Sequence, residues 1–173
     1  GYANQGLGPD FFVGAMPGIE HLGHHAFKYR VDFERLKIGD DIGAICASRP
    51  TNPSGNVLTD AEVAQLDALA RDAGVPLLLD NAYGEPFPGI VFTKIQPVWN
   101  ENIVLTFSLS KLGLPGTRTG IVVARPEIIR ALTSMNAIIG LANGTIGQAI
   151  VTPWLESGGV PWVVSSDLRA FYA

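Results

Sequence analysis

Short apolar runs, separated by amphipathic or polar stretches, mark the central part of the chain. Three runs predict buried strands because branched aliphatic, leucine and aromatic residues crowd them: Ile42–Ala47, Leu77–Leu79 and Ile103–Phe107. Between the first two runs, Thr59 and Glu62 have the spacing of a capping box, and apolar residues then recur three and four positions apart. The order strand, helix, strand predicts a parallel crossover. The pattern therefore indicates an α/β fold with a mostly parallel sheet.

Weaker patterns on either side of this central part predict further elements. The chain opens with a glycine-rich stretch typical of a loop, and it ends with an aromatic-rich stretch that predicts the beginning of a helix. The flanking predictions are a loop over Gly1–Asp10, strands over Phe11–Ala15, Ala26–Val31 and Thr119–Ala124, a capped turn over Asp32–Leu36, and helices from Pro126 to about Asn136, up to about Leu155 and from Pro161 to Ala173. These elements suffice for one domain with a sizeable core.

Composition excludes several classes of protein. Of 173 residues, 47% are hydrophobic and 16% are charged, which excludes a disordered chain. The formal net charge is −4 and no cluster of Lys or Arg occurs, so the sequence offers no electrostatic footprint for nucleic acid. Every apolar stretch is far shorter than the roughly 20 residues of a membrane-spanning helix. We therefore expect a packed globular chain with neither a nucleic-acid nor a membrane partner.

The cysteine and histidine residues indicate no metal or disulfide chemistry. Cys46 is the single cysteine and lies within a predicted strand, so we expect an inert core thiol and a cytoplasmic location. His21, His24 and His25 lie close together in the sequence, but no thiolate or carboxylate completes a ligand set at suitable spacing. We interpret this stretch as a solvated loop and expect no metal site.

Polar residues follow the first two predicted strands. Two prolines and a glycine make the loop Ser48–Asn56 rigid, and Asn52 presents an amide there. The second strand ends in Asp80, with Tyr83 three residues later. Ligands of open α/β sheets bind outside the carboxyl ends of the strands, so both places are candidates for a site. On these residues alone, a plain connecting turn and a helix N-cap aspartate with a half-buried Tyr83 remain alternatives.

The third predicted strand runs into the segment Ser108–Gly120. Lys111 stands where this apolar strand ends, and an amine in such a place suits a Schiff-base nucleophile. Two hydroxyls, a glycine-rich turn and a guanidinium surround it, and these groups hold phosphate: Ser108, Ser110 and Arg118. An amine beside a phosphate cradle indicates pyridoxal 5′-phosphate, for which Asp80 would keep the pyridine nitrogen protonated. The alternative is a surface lysine and a solvated arginine.

Three motifs together carry a resemblance to a known family. Ser-Arg-Pro-Thr-Asn-Pro-Ser-Gly begins at Ser48, Asp-Asn-Ala-Tyr begins at Asp80, and Ser-Leu-Ser-Lys with Gly-Leu-Pro-Gly-Thr-Arg begins at Ser108. In this order and spacing they resemble the aspartate-aminotransferase-like, fold type I enzymes that use pyridoxal phosphate. Within that family the chain is most similar to the valine–pyruvate aminotransferases, over the stretches Ser48–Leu58, Leu79–Phe92 and Leu105–Ala124.

The resemblance implies a fold and roles for individual residues. The fold is a three-layer α/β domain whose mostly parallel sheet contains one antiparallel strand, here Thr119–Ala124, and the bond before Pro53 is cis. Lys111 would form the Schiff base and shuttle a proton, and Asp80 would pair with the pyridine nitrogen. The remaining implied roles are contact with the ring hydroxyl, by Asn52 and Tyr83, and contact with the phosphate, by Ser108, Ser110 and Arg118.

The resemblance also implies an activity. It is transamination between an amino acid and a 2-oxo acid in two half-reactions, with valine and pyruvate giving 3-methyl-2-oxobutanoate and alanine, in a homodimer. A carbon–sulfur lyase would reuse Lys111 and Asp80. A regulatory domain that binds the cofactor without catalysis would need a basic DNA-binding segment, which these residues lack. A nucleotide-binding domain is disfavoured because no Gly-x-Gly-x-x-Gly follows the first strand.

The extent of the resemblance implies a partial chain. Residues 1–160 would belong to the large cofactor-binding domain, and residues 161–173 would begin the helix towards a small domain. The family's glycine-rich phosphate loop, ring-stacking aromatic residue and substrate-carboxylate arginine have no counterpart in these residues, and the neighbours of Arg49 give no reason to assign it the last role. We therefore expect the 173-residue piece alone to be inactive.

Overall fold

The chain divides into two compact units, Gly1–Asp41 and Ile42–Ala173, and the computed structural model describes residues 11–173. In the first unit, β1 (Gly18–His21) and β2 (Phe27–Arg30) form an antiparallel pair. Nε of Arg30 donates a hydrogen bond of 2.6 Å to Oε2 of Glu20 across this pair. The predicted strand over Ala26–Val31 is therefore confirmed as β2.

Two other predictions for the first unit have different outcomes. The strand predicted over Phe11–Ala15 is wrong: apart from a helical position at Phe11, the backbone is irregular up to Pro17 and Phe12 is 72% exposed. Within residues 11–41, no strand pairs with this segment, and an apolar run needs such a partner to satisfy its backbone groups. The turn at Asp32 is confirmed, since its backbone oxygen accepts from the N–H of Leu36 at 3.1 Å. The loop predicted over Gly1–Asp10 lies outside the described residues.

The second unit contains a four-stranded sheet in the order β3–β4–β5–β6. Its strands are β3 (Ile45–Ser48), β4 (Leu77–Asp80), β5 (Ile103–Ser108) and β6 (Gly120–Val123). The first three run parallel, whereas β6 pairs with β5 in the antiparallel sense. The predicted α/β class, mostly parallel sheet and antiparallel strand are thus confirmed. The connection of residues 109–119 contains two short 3-10 helices, and β6 therefore returns directly beside β5 without a long crossover.

Most of the core lies on one face of this sheet, and Val104 of β5 is buried on the opposite face. Alternate residues of β4 and β5 are buried on the first of these faces because side chains along a strand point to opposite faces: Leu77, Leu79, Ile103, Leu105 and Phe107. Helix α1 (Asp60–Asp72) contributes the buried stripe Val63, Leu66 and Ala70. Its predicted capping box is confirmed at Thr59 and Glu62. The packing of these side chains holds β4 and β5 in place, and the predicted site residues follow the carboxyl ends of these strands.

A buried carboxylate joins α1 to the beginning of β5. Asp67 accepts hydrogen bonds from Nδ2 of Asn102 at 3.1 Å, Nδ2 of Asn100 at 2.9 Å and Nε of Arg71 at 3.0 Å. Burial acts to raise the pKa of Asp67, but the hydrogen bonds from Asn102, Asn100 and Arg71 outweigh it and lower that pKa. The three donors take the place of water around this buried carboxylate.

The expectation of a buried thiol is wrong. Cys46 is exposed. Its neighbour Ile45 points into the core, and the alternation of β3 therefore turns Cys46 towards the opposite, less covered face of the sheet. In addition, β3 is an edge strand of the described sheet, so no further strand lies beside it on its outer edge.

Helices follow β6 in the second unit. They are α2 (Pro126–Ile139), α3 (Ile146–Glu156), α4 (Gly159–Val163) and α5 (Arg169–Tyr172), with a π-helical turn (Val164–Leu168) before α5. The predicted helices are confirmed, although α2 continues three residues beyond the predicted end at Asn136. Within residues 11–173 there is no helix with the length and apolar character that crossing a bilayer requires.

Candidate active site

The carboxyl ends of three parallel strands meet at one edge of the sheet. The register places Ser48 of β3 beside Asp80 of β4, and Asp80 beside Thr106 of β5. Ser108 lies two residues further along β5, and it therefore shares a face with Thr106. The three loops that carry the predicted site residues consequently start next to one another.

The loop after β3 is closed by its own hydrogen bonds. The backbone N–H of Thr51 donates to the oxygen of Asn56 at 2.8 Å, and that of Gly55 donates to the oxygen of Thr51 at 2.8 Å. Gly55 has a φ of +68°, which a residue with a side chain adopts at a cost. Asn52 lies exposed within this turn, and the predicted cis bond before Pro53 is confirmed.

Asp80 has one carboxylate oxygen held and one available. Oδ1 accepts from the backbone N–H of Ala82 at 3.0 Å and from Oγ1 of Thr106 at 3.4 Å. Among residues 11–173, no hydrogen bond or ion pair engages Oδ2. Sequence reasoning missed Thr106, and the signal that identifies it is strand register, since Thr106 is the residue beside Asp80 on β5. The arrangement orients the carboxylate and leaves an oxygen for an external donor.

The turn after Asp80 is packed tightly. Asn81 is 4% exposed and its amide donates to the backbone oxygen of Glu85. A Cβ at Gly84 would lie 2.5 Å from the backbone oxygen of Arg49, so only glycine fits there without a shift. This packing holds the half-buried Tyr83 in place at the sheet edge.

Lys111 lies in a short 3-10 helix, Leu109–Leu112, that follows β5 directly. Oγ of Ser108 caps this helix by accepting from the backbone N–H of Ser110 at 3.2 Å, and the side chain of Leu109 is fully buried beneath it. The ammonium of Lys111 lies 4.9 Å from the centroid of the Tyr83 ring, within the range of a cation–π contact. The structure thus brings together two residues 28 positions apart, on loops after different strands.

Arg118 follows a second 3-10 helix, Pro115–Thr117, and adopts a left-handed backbone with φ 48°. Gly120 pairs with Ser108, so Arg118 lies two residues beyond that pair. In the described part of the chain, neither Arg118 nor Asn52 forms a side-chain hydrogen bond or ion pair. Both residues therefore lie on loops that begin or end beside the strand ends, and neither is joined to Lys111, Asp80 or Tyr83 by a side-chain hydrogen bond in the described residues.

The guanidinium of Arg49 is buried and bonded to three acceptors within the chain. Its side chain is 2% exposed, and it donates from Nε to the oxygen of Leu58 at 2.8 Å, from Nη1 to the oxygen of Gln96 at 3.2 Å, and from Nη2 to Asp60. The hydrogen bond from Arg49, together with one from the backbone N–H of Gln96, lowers the pKa of Asp60. A guanidinium occupied in this way is not free to bind a substrate carboxylate.

Three groups at this edge fit pyridoxal 5′-phosphate. Lys111 offers an amine for the aldehyde, Oδ2 of Asp80 an acceptor for a protonated ring nitrogen, and Arg118 a cation for the phosphate. Asp80 and Lys111 belong to elements that are anchored in the core, by Leu77 and Leu79 of β4 and by Leu109 of the 3-10 helix. These three groups are therefore chemically complementary to the aldehyde, ring nitrogen and phosphate of the cofactor.

Comparisons with known proteins match the chain to aminotransferases. A family model described as aminotransferase class I and II matches residues 24–159. The chain is 54% identical over 172 residues to valine–pyruvate aminotransferase of Escherichia coli strain K12, covering 99% of this chain and 41% of that protein. It is 35% identical over 128 residues to an aromatic amino acid aminotransferase of Rhodococcus jostii strain RHA1, covering 70% of this chain and 34% of that protein.

Solved structures agree with this assignment. The crystal structure of valine-pyruvate aminotransferase from Salmonella typhimurium LT2 matches with a TM-score of 0.90 at 50% identity, covering 94% of this chain and 42% of that one. Aspartate aminotransferase from Thermus thermophilus shares the fold, with a TM-score of 0.67 at 19% identity over 77% of this chain and 35% of that one. The chain spans less than half the length of these relatives and belongs to the class I and II aminotransferase family.

Proposed function

We propose that the protein transfers an amino group from valine to pyruvate and forms 3-methyl-2-oxobutanoate and alanine. The observation that carries this proposal is the contact between the Lys111 amine and the Tyr83 ring, at the sheet edge where Asp80 ends β4. The choice of substrates is supported by the name of the E. coli relative, with which the chain shares 54% of its residues. The site geometry supports the reaction type, and the similarity supports the substrates.

The family implies pyridoxal 5′-phosphate as cofactor, and the residues present fit it. We assign the aldehyde to Lys111, the ring nitrogen to Asp80, and the ring hydroxyl to Asn52 and Tyr83. The phosphate would be held by Ser108, Ser110 and Arg118. When bound, the cofactor supplies an electron sink for the negative charge that develops at the substrate α-carbon.

Each protein group has a separate task in this proposal. The amine of Lys111, once the substrate amine has released it, would accept the proton from the substrate α-carbon, and a positioned base of this kind accelerates proton transfer by roughly 10²–10⁴-fold. The carboxylate of Asp80, oriented by Ala82 and Thr106, keeps a proton on the ring nitrogen through a charge-assisted hydrogen bond. Tyr83 limits the positions that the Lys111 amine can take, because its ring lies against that amine.

Four further assignments belong to the same proposal. Residues 1–160 are part of the large cofactor-binding domain, and residues 161–173 begin the connection to a small domain. The protein acts as a homodimer, which is supported by large exposed apolar side chains on and between α2 and α3, including Ile138, Ile139 and Leu141. Its partners are small-molecule substrates, an amino acid and a 2-oxo acid, and its compartment is the cytoplasm. Sedimentation of the natural-length protein tests the dimer, and cell fractionation tests the compartment.

Borohydride trapping tests the role of Lys111. We expect the natural-length protein to hold one covalent cofactor after reduction, located by peptide mass spectrometry at Lys111, and we expect Lys111→Ala to hold none. Lys94→Ala is the matched control because Lys94 is an exposed lysine to which this proposal assigns no role. Equal labelling of wild-type and Lys111→Ala protein would show that the assignment of Lys111 is wrong.

A donor screen tests the substrates. With pyruvate as acceptor, we expect valine to yield alanine faster than aspartate does. Formation of pyruvate from cystathionine, without transamination of any donor, would instead indicate a carbon–sulfur lyase. Cofactor binding without turnover of any of these substrates would indicate a regulatory domain.

A further inference from the structure

The loop that carries Asn52 is braced twice across its base. The inner brace is the hydrogen bond from the Thr51 N–H to the oxygen of Asn56. The outer brace is the side chain of Arg49, whose Nε donates to the oxygen of Leu58 at 2.8 Å. Each hydrogen bond joins the beginning of the loop to its end. The inner one is between backbone groups, and the outer one depends on the side chain of Arg49.

The outer brace is itself held in place. The side chain of Arg49 is 2% exposed, and its two terminal nitrogens reach Asp60, at the beginning of α1, and the oxygen of Gln96. A buried guanidinium that lost these acceptors would remain in the interior without compensation, so the side chain has one strongly preferred position. The loop base is therefore tied to the helix and to the segment around Gln96.

The backbone of Arg49 contacts the neighbouring part of the site. Its N–H donates to the oxygen of Asp80 at 2.8 Å, and its own oxygen lies where a Cβ at Gly84 would approach to 2.5 Å. Arg49 thus lies between the Asn52 loop and the turn that leads from Asp80 to Tyr83. A change in its position would be transmitted to both.

We propose that Arg49 is a positioning residue for the cofactor site, whose buried guanidinium sets the position of Asn52. The inference rests on the proposed function in one respect, the contact of Asn52 with the ring hydroxyl of the cofactor. The bracing itself stands on the hydrogen bonds of the chain. Asn52 is exposed and has no internal side-chain hydrogen bond among the described residues, so its position depends on the loop base.

A double-mutant cycle tests this proposal in the natural-length protein. Arg49→Lys keeps the charge but lacks the planar fork that reaches three acceptors at once. We expect Arg49→Lys to raise the dissociation constant of pyridoxal phosphate about tenfold and to shift the pH midpoint of the cofactor's visible absorbance. In an Asn52→Ala background, we expect the change in the dissociation constant to fall to about twofold or less and the shift of the midpoint to shrink in parallel. Arg71→Lys, at the other end of α1, is the matched control and should leave both quantities unchanged.

Hydrogen exchange gives a readout that needs no cofactor. In cofactor-free protein, we expect the amides of Thr51 and Gly55 to exchange about tenfold faster in Arg49→Lys than in wild type or Arg71→Lys. If Arg49→Lys does not fold, Asp60→Asn removes a charged acceptor from the same guanidinium at a surface position and should produce the same effects at smaller size.

The outcomes separate this inference from the proposed function. The inference would be overturned if Arg49→Lys raised the dissociation constant by the same factor with and without Asn52, because Arg49 would then act through general stability. Unchanged exchange at Thr51 and Gly55 would also overturn it. A wild-type protein that binds no pyridoxal phosphate would contradict the proposed function alone, and faster exchange in Arg49→Lys would still support the bracing.

Discussion

Gly84→Ala is a substitution whose effect the structure allows us to calculate. The added Cβ would lie 2.5 Å from the backbone oxygen of Arg49 and 2.6 Å from Cγ of Asn81. Real Cβ atoms do not approach other heavy atoms so closely, so one partner must move. The Asn81 side chain can rotate away, but the oxygen of Arg49 belongs to a backbone that is hydrogen-bonded to β4. The turn itself must therefore shift.

The cost has two parts. Overpacking of a filled site costs about 1–3 kcal/mol. If Asn81 rotates, its buried amide loses the hydrogen bond to the oxygen of Glu85, which adds about 1 kcal/mol or more. We therefore expect Gly84→Ala to lower the free energy of unfolding by about 2–4 kcal/mol. Because the shift displaces the turn between Asp80 and Tyr83, we also expect weaker binding of pyridoxal phosphate.

Urea denaturation of the natural-length protein, followed by far-ultraviolet circular dichroism, measures this change. Gly43→Ala is the matched control, because Gly43 has no heavy atom within 4 Å of the added Cβ and does not need a positive φ. It should change the free energy of unfolding by less than about 0.5 kcal/mol. Equal midpoints for Gly84→Ala and Gly43→Ala would refute the steric reasoning and the tight packing of this turn.

Two further predictions concern the polar groups around the site. Thr106→Val keeps the side-chain shape but removes one of the two donors that hold Asp80. We therefore expect about fivefold weaker binding of pyridoxal phosphate, measured by absorbance titration, and an unchanged free energy of unfolding. Unchanged affinity would show that the N–H of Ala82 alone orients the carboxylate. Asp60→Asn should reduce the acid sensitivity of the protein: the pKa of Asp60 is lowered in the folded state by Arg49, so its stabilising effect is complete above the ordinary value of 3.8 and is lost as the pH falls through the lower folded-state pKa. Urea midpoints at pH 3 and pH 7 measure this, and an identical pH dependence in both proteins would contradict it.

Much of the fold was predictable because its signals are local. The apolar runs at Leu77–Leu79 and Ile103–Phe107 became β4 and β5, and the Thr59–Glu62 capping box begins α1 where the pattern indicates. Parallel strands end at the same edge, so the sequence also indicated which polar residues would gather there. The contact between Lys111 and Tyr83 agrees with that expectation.

The predictions that were wrong depended on partners. Phe11–Ala15 has the apolar character of a strand, but among the described residues no second strand lies beside it. Cys46 was assigned to the core by its apolar neighbours, whereas the orientation of β3 turns it outwards. A local pattern states how apolar a segment is, and it does not state which face of the sheet is covered.

What the sequence by itself determined is the type and order of the elements from β3 to α3, and the edge at which Asn52, Asp80 and Lys111 emerge. Only the tertiary structure decided that Arg49 is a buried brace. The reason is that its acceptor at Gln96 is 47 residues away in the chain, and no local spacing encodes such a hydrogen bond. Alternation and capping act between near neighbours, whereas the burial of a polar side chain depends on which distant groups the fold places around it.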